Sequence, residues 1–499
     1  MNLISIQLMQ TMTCRSLLLA GALTLARPGA HADPLITSWY TGNHGKYARI
    51  YTSLTNRTNG VSATTWTGQT LPAYSGVREV DYSASWVYIR TTGLGGHTMG
   101  PWSNPNLPKN QGLLYRFPRS AVAPATSPVL TSLGAIGIMV DGVSIFDTRD
   151  AFSYKNSAGT DATPVNGLTG DGIWNRDAWA NEASSFDAAY AHQPQNGQYH
   201  YHASPLATRY LLGDNVLFFG TPDNNSPKTY AENTNTTVFK HSPIIGWMND
   251  GLPLYGPYGY SSAMDASSPV RRMVSGYVKR DGSYGTTDLN SAGRHTLPAW
   301  GAAAQGRSAT LTSSQYGRAV STTYPIGHYI EDYDYLGDLG YAQGATNNPG
   351  GVLFDLNKYN ARFCVTPEYP GGTYAYFESI QADGTPFYPY HVGRWFYGNP
   401  TGGTTTSITE SVTTNFVGGA NMEPVLSAPA LSNSVVTLVW SAVEGGTYQV
   451  LSTPDFRSWG TNATGVAAVL NQGTASLPES APNQFFRVAR TGLATYDTK

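Results

Sequence analysis

Cysteine is almost absent from this chain. It has two among 499 residues, and Cys14 falls in an N-terminal stretch that reads as a cleaved leader, which leaves Cys364 alone. No intrachain disulfide is then available, and the fold must rest on burial. Charge is scarce too. Asp, Glu, Lys and Arg make up 12% of the residues and the formal net charge is −2, so the basic footprint of a nucleic-acid binder is missing. Beyond the leader, no apolar run approaches the roughly 20 residues that span a membrane. Long segments of helical period are also lacking. The best helix candidate runs from Asn175, as N-cap, to Tyr190, with Ala178, Trp179, Phe186 and Ala189 as its apolar positions.

Turn formers and aromatics are plentiful: 54 Gly, 31 Pro and 33 Tyr. They predict an all-β chain of many short strands with one or two short helices. Residues 1–32 carry Arg15, the apolar run Leu17 to Leu25, and Ala30-His31-Ala32 as an A-x-A cleavage site. That is the pattern of a secretory signal, with Met12 an alternative start, and it predicts a periplasmic or extracellular protein. Residues 33–400 read as a large β-rich domain of short strands and long loops. Residues 401–423 are rich in Thr, Ser and Gly and read as a linker. Residues 424–499 read as a small β-sandwich module without His or Cys. Within the large domain, Val80 to Arg90 alternates along one expected strand.

One pattern repeats. Gly137-Ile138-Met139-Val140-Asp141-Gly142-Val143-Ser144-Ile145-Phe146 aligns without gaps on Gly246-Trp247-Met248-Asn249-Asp250-Gly251-Leu252-Pro253-Leu254-Tyr255. Asp-Gly between apolar runs predicts a hairpin in which both central turn residues take positive φ, used twice in one sheet, with duplicated ancestry as the simplest origin. Asp383-Gly384 is a weaker third copy.

The stretch that carries chemistry lies between the two copies. Tyr199-His200-Tyr201-His202 stands between the turn signal Asn196-Gly197 and Ser204-Pro205, and reads as a short strand. Side chains alternate across a strand, so His200 and His202 share one face, and their attachment points lie about 6.6 Å apart. Two imidazoles so placed reach one metal ion. His192 or His97 is the expected third ligand and Asp250 a fourth. Imidazole donors without thiolate predict Cu or Zn. The bland alternative is a pair of polar residues on a Tyr-rich, half-exposed strand. Asp332, Asp334 and Asp338 show a faint oxygen-ligand spacing, but lack the Gly and closing Glu of a calcium loop.

The motifs Tyr199-His200-Tyr201-His202, Asp250-Gly251-Leu252-Pro253-Leu254-Tyr255-Gly256-Pro257, Glu331-Asp332-Tyr333 and Arg362-Phe363-Cys364-Val365-Thr366-Pro367-Glu368-Tyr369-Pro370, with Gly372-Thr373-Tyr374-Ala375-Tyr376-Phe377, occur together. As a set they resemble the YHYH-domain family of secreted proteins over roughly residues 80 to 395. The tail is similar to C-terminal β-sandwich modules of secreted bacterial proteins. The resemblance implies a fold and an exported location, and no activity.

Three functions follow as alternatives. The first is a histidine-centred metal site with His200, His202, His192, His97 and Asp250 as ligands. If it is catalytic, His200 and His202 take part and Glu368 is the general base. The second is a metal-free hydrolase in which His200 or His202 acts with Asp250, Glu331 or Glu368. The third is an extracellular binding protein whose aromatics stack on a carbohydrate or peptide. In each case the partner is an extracellular small molecule or polymer.

Overall fold

The computed structural model describes residues 33–119, 124–220, 229–480 and 484–499, so the expected leader lies outside the described residues. Short strands dominate, and among the described residues the longest helix is Ala299–Gln305. No described helix is long and apolar enough to cross a membrane.

The architecture is built on an eight-stranded sheet. In chain order its strands are β1 (Ala135–Met139), β2 (Ser144–Phe146), β3 (Ala191–His192), β4 (His200–Tyr201), β5 (Ile244–Met248), β6 (Pro253–Tyr255), β7 (Ala361–Cys364) and β8 (Thr373–Phe377). Across the sheet they run β3-β4-β2-β1-β5-β6-β8-β7. The two copies of the repeat are the hairpins β1–β2 and β5–β6, and they lie side by side at the centre.

Their pairing explains the shared residues. β1 and β5 are antiparallel, with Gly137 opposite Met248, Ile138 opposite Trp247 and Met139 opposite Gly246. Each glycine of one copy therefore faces the methionine of the other. A Cβ on Gly137 would lie 3.1 Å from the Met248 sulfur, and one on Gly246 would lie 3.2 Å from the Met139 sulfur. The two hairpins are thus related by a local two-fold axis through the Ile138–Trp247 pair.

The turns differ from the expected two-residue kind. Gly142 N–H donates to Met139 O at 2.9 Å and Gly251 N–H to Met248 O at 2.8 Å. Only the glycines take positive φ, 89° and 82°. The two aspartates stay in ordinary backbone and cap the turns, each accepting the N–H two residues on, Val143 or Leu252, at 3.2 Å. This is a type I turn closed by a left-handed glycine. The third Asp-Gly, at 383–384, makes a separate turn beyond the sheet, bridged by Ile380 and Pro386.

The symmetry continues outward. β4 runs parallel to β2, with His200 beside Ser144 and Tyr201 beside Ile145. β8 runs parallel to β6, with Tyr376 beside Leu254 and Phe377 beside Tyr255. Antiparallel edge strands follow: Ala191 faces Tyr201 and His192 faces His200, while Ala361 faces Tyr376 and Arg362 faces Ala375. Each half is a four-stranded copy of the other.

One face of the central sheet packs on a five-stranded sheet. That sheet is made of Gly403–Thr404, Leu113–Pro118, Trp86–Thr91, Val77–Tyr82 and Thr413–Val417, and Val80, Val87, Ile89 and Phe117 join Ile138, Trp247 and Phe377 in one core. Two expectations are corrected here. The alternating run from Val80 to Arg90 is a hairpin, because the Ser83 hydroxyl accepts the N–H of Ser85 and Trp86 and turns the chain. The stretch 401–423, expected as a linker, supplies two strands, because its Thr-rich backbone pairs with β-rich neighbours at both edges of this sheet.

At the C-terminus two three-stranded sheets face each other. They are Ala430–Ser432, Val435–Ser441 and Gln472–Pro478 on one side, and Gly460–Ala467, Gly446–Thr453 and Phe485–Leu493 on the other. Leu438, Trp440, Tyr448 and Val450 fill the core between them. Glu444 ties this module to the large domain by accepting from the Tyr47 backbone and the Arg49 guanidinium.

Candidate metal centre

β4 owes its place to its tyrosines. Tyr199 and Tyr201 point into the main core, where Tyr199 OH donates to Asp187 at 2.8 Å and Tyr201 OH lies 3.3 Å from Thr208 Oγ1. Alternation then sends His200 and His202 to the other face, at the sheet edge, where the five-stranded sheet leaves them beside a cavity of about 550 Å³. β3 adds His192 directly opposite His200.

The three histidines converge, with ligating atoms of all three within 4.8 Å of one another. Their tautomers are set from behind. His200 Nδ1 lies 2.8 Å from Gln198 O, and His202 Nδ1 lies 2.7 Å from Asp147 O. Backbone carbonyls only accept, so both Nδ1 atoms carry the proton. His192 Nδ1 lies 2.7 Å from Ser185 Oγ, whose own proton goes to Glu182 O at 2.7 Å. Ser185 therefore accepts, and His192 is fixed the same way. All three Nε2 lone pairs face inward. His200 Nε2 and His202 Nε2 are 3.0 Å apart, two lone pairs held against each other unless a cation or a proton lies between them.

Burial and mutual repulsion keep the rings neutral. Desolvation, then the neighbouring His202, lowers His192 to about 3 and pushes His200 well below its usual value. Desolvation lowers His202 to about 4. Phe146 stacks flat on His200 with ring centroids 3.8 Å apart, and Phe186 meets His192 edge-on at 4.6 Å.

A carboxylate that the spacing did not reveal closes the group. Glu182 Oε2 lies 3.3 Å from His202 Nε2 and 3.5 Å from His192 Nε2, with no hydrogen-bond partner of its own. Burial, reinforced by the Asp150 charge, raises its pKa to about 8. Glu182 ends the helix Ala178–Glu182, and the next turn, Ala183–Ser185, supplies Ser185. This helix is shorter than the expected 175–190 span. Its N-cap is Asp177 rather than Asn175, because the Asp177 side chain accepts the Ala180 N–H at 3.0 Å. The signal for Glu182 in the sequence was this capped helix just before His192.

A family model described as YHYH protein matches residues 114–392, more than half of the chain. The chain belongs to this family. The match spans both hairpins and all three converging histidines of the YHYH domain. No curated protein and no solved structure matches the chain.

The other expected site residues lie elsewhere. His97 is on the opposite face of β4, where its Nε2 is 3.1 Å from Tyr199 OH and burial lowers it to about 3. Asp250, in the second hairpin, accepts from Tyr376 OH at 2.7 Å and Gly398 N at 3.0 Å, which spends its oxygens on the fold. Glu368 accepts from Tyr255 OH at 2.9 Å at the far end of the sheet. Glu331 is buried and braced by Asn175 and Gln305. Asp332 pairs with Arg294 through both oxygens and Asp334 faces Arg280, which leaves no oxygen cage there.

Proposed function

We propose that this protein binds one transition-metal ion through His192, His200 and His202, with Glu182 on the fourth side and the cavity providing access. The observation that carries this reading is the set of three Nδ1–H groups committed to Gln198 O, Asp147 O and Ser185 Oγ, which aims three Nε2 lone pairs at one point. Such outer hydrogen bonds are what orient imidazole ligands around an ion. Three nitrogens with a carboxylate and no thiolate suit zinc or copper.

The donor set also supports chemistry at the open side. A bound ion would supply Lewis acidity toward an oxygen or, as copper, electron exchange. The chain's own part is to hold the imidazoles neutral, to exclude water behind them with Phe146 and Phe186, and to offer Glu182 Oε2 as a proton acceptor beside the cavity. The leader-like N-terminus supports action outside the cytoplasm.

The test is metal content. Protein dialysed against chelator-free buffer is analysed for zinc, copper and iron, and the stripped protein is titrated with zinc and copper salts. One equivalent of bound ion is the expected result. No bound ion and no uptake would remove the reading.

A further inference from the structure

Gln193 follows the ligand His192 and lines the same cavity, yet it is 99% buried, with only 1% of its surface exposed. Its Nε2 donates to Asn106 O at 2.6 Å. A carbonyl only accepts, so the amide cannot turn over, and Oε1 is the atom left without a partner. That oxygen is buried and has no partner. Leaving a buried acceptor unmatched is costly, and such groups are rare without a reason.

Apart from Glu182, the ionic groups of the cavity wall are already matched. Arg149 is held by Asp147 at 2.7 Å and Asp150 by Arg176 at 2.8 Å. Among the described residues of the wall, no free cation is set to receive an anionic substrate. Besides Glu182 Oε2, the wall holds the unpartnered acceptor Gln193 Oε1 and the apolar faces of Phe146 and Phe152. Backbone strain also gathers here. Ala151, between Asp150 and Phe152, sits at φ 74°, a conformation a non-glycine residue holds only when its surroundings enforce it. The position next along from Arg362 in the other half, matching Gln193, is Phe363, 44% exposed. The glutamine therefore belongs to the half that holds the histidines and is not part of the common frame.

We infer that Gln193 Oε1 is the specificity contact of this cavity, accepting an N–H or O–H from an uncharged-bodied ligand whose neighbouring oxygen meets the ion. This rests on the metal reading above. The ligand class is a primary or secondary amide, a hydroxamate or a related small molecule that places a donor beside a metal-seeking oxygen.

The probes are acetohydroxamate and N-methylacetohydroxamate, which differ by one N–H. They are titrated calorimetrically into the zinc-loaded full chain, with zinc content measured for every variant. The wild type is expected to bind the N–H form roughly tenfold more tightly, the scale of one neutral hydrogen bond. Gln193→Met, which keeps length and loses the acceptor, is expected to abolish the preference at unchanged zinc content. Equal binding of both probes by zinc-loaded wild type, or a preference that survives in Gln193→Met, overturns this inference and leaves the metal site standing. Failure of the wild type to take up zinc or copper overturns both.

Discussion

The two halves of the central sheet have the same strands, the same turns and different side chains at the edge. Where one half reads Tyr199-His200-Tyr201-His202, the register of the other puts Tyr374-Ala375-Tyr376-Phe377. Where one has His192, the other has Arg362. The tyrosines, the hairpin glycines and methionines, and the capping aspartates occur in both, so they serve the frame. Both aspartates stay buried under a hydroxyl, Asp141 under Thr208 and Asp250 under Tyr376. The histidines occur once. In the second half Phe377 stacks on Tyr255 and Arg362 lies over Phe377, an arrangement of packing with no converging lone pairs. The fold therefore does not require the triad, and its geometry needs another explanation, for which we propose a bound ion.

Transplanting one edge onto the other gives the largest expected effect. The triple variant His192→Arg, His200→Ala, His202→Phe carries the second half's residues. It is expected to keep its far-UV circular dichroism and to bind zinc or copper at least 10³-fold more weakly, since every nitrogen donor is gone. The metal-dependent rise in Tm expected for wild type, about 4 kcal/mol of stabilisation at a thousandfold excess over Kd, should vanish with it. A variant that unfolds, or one that still binds metal, would break the contrast between the halves.

Removing what the halves share should do the reverse. Asp141→Ala and Asp250→Ala each strand a buried hydroxyl and a turn N–H, and each is expected to cost about 3 kcal/mol in urea unfolding. Metal stoichiometry should stay unchanged in both. Unequal behaviour, with Asp250→Ala losing the ion, would return that residue to the ligand set.

The supports of the triad come next. Ser185→Ala removes the acceptor that fixes His192, and a loss of about tenfold in metal affinity is expected by competition titration, at the lower end for such outer contacts. An unchanged affinity would show that the tautomer of His192 is set otherwise.

The smallest effect is on pH. Glu182, raised to about 8 by burial and then by Asp150, must give up its proton to an ion. The histidines, already neutral above about 4, release none. Metal affinity should therefore climb with pH toward about 8 and show no inflection near the ordinary histidine value of 6.5. The stripped protein should behave oppositely. Asp150 and Asp177, raised to about 7 by burial, join Glu182 in holding protons in the fold that the unfolded chain loses near 4. Above pH 6.5 the unfolded histidines no longer oppose them, so the Tm of metal-free protein should fall from pH 6.5 to 8. A flat profile in both measurements would detach Glu182 from the site.

Much of this was legible in the residues. The β class follows from the Gly, Pro and Tyr content, and the repeated Asp-Gly pattern locates the two hairpins. The His200–His202 face follows from strand alternation alone, and His192 was near enough in the chain to be named with them. His97 and Asp250, the alternative third ligand and the fourth that the residue types suggest, are not brought in: one lies behind β4 and the other serves the second hairpin. The strands at 403–404 and 413–417 were hidden because Thr, Ser and Gly score as linker until a neighbouring edge pairs with them.

Sequence by itself determined the local chemistry: which side chains alternate together, where the chain turns, and which half of the repeat carries imidazole. Tertiary structure alone decided what stands behind and across from them. Glu182, Ser185 and Gln193 reach the cavity through a helix and an edge strand whose positions depend on pairing between β3, β4 and β2. Spacing along a chain fixes neighbours within an element, but convergence from separate elements is set by packing.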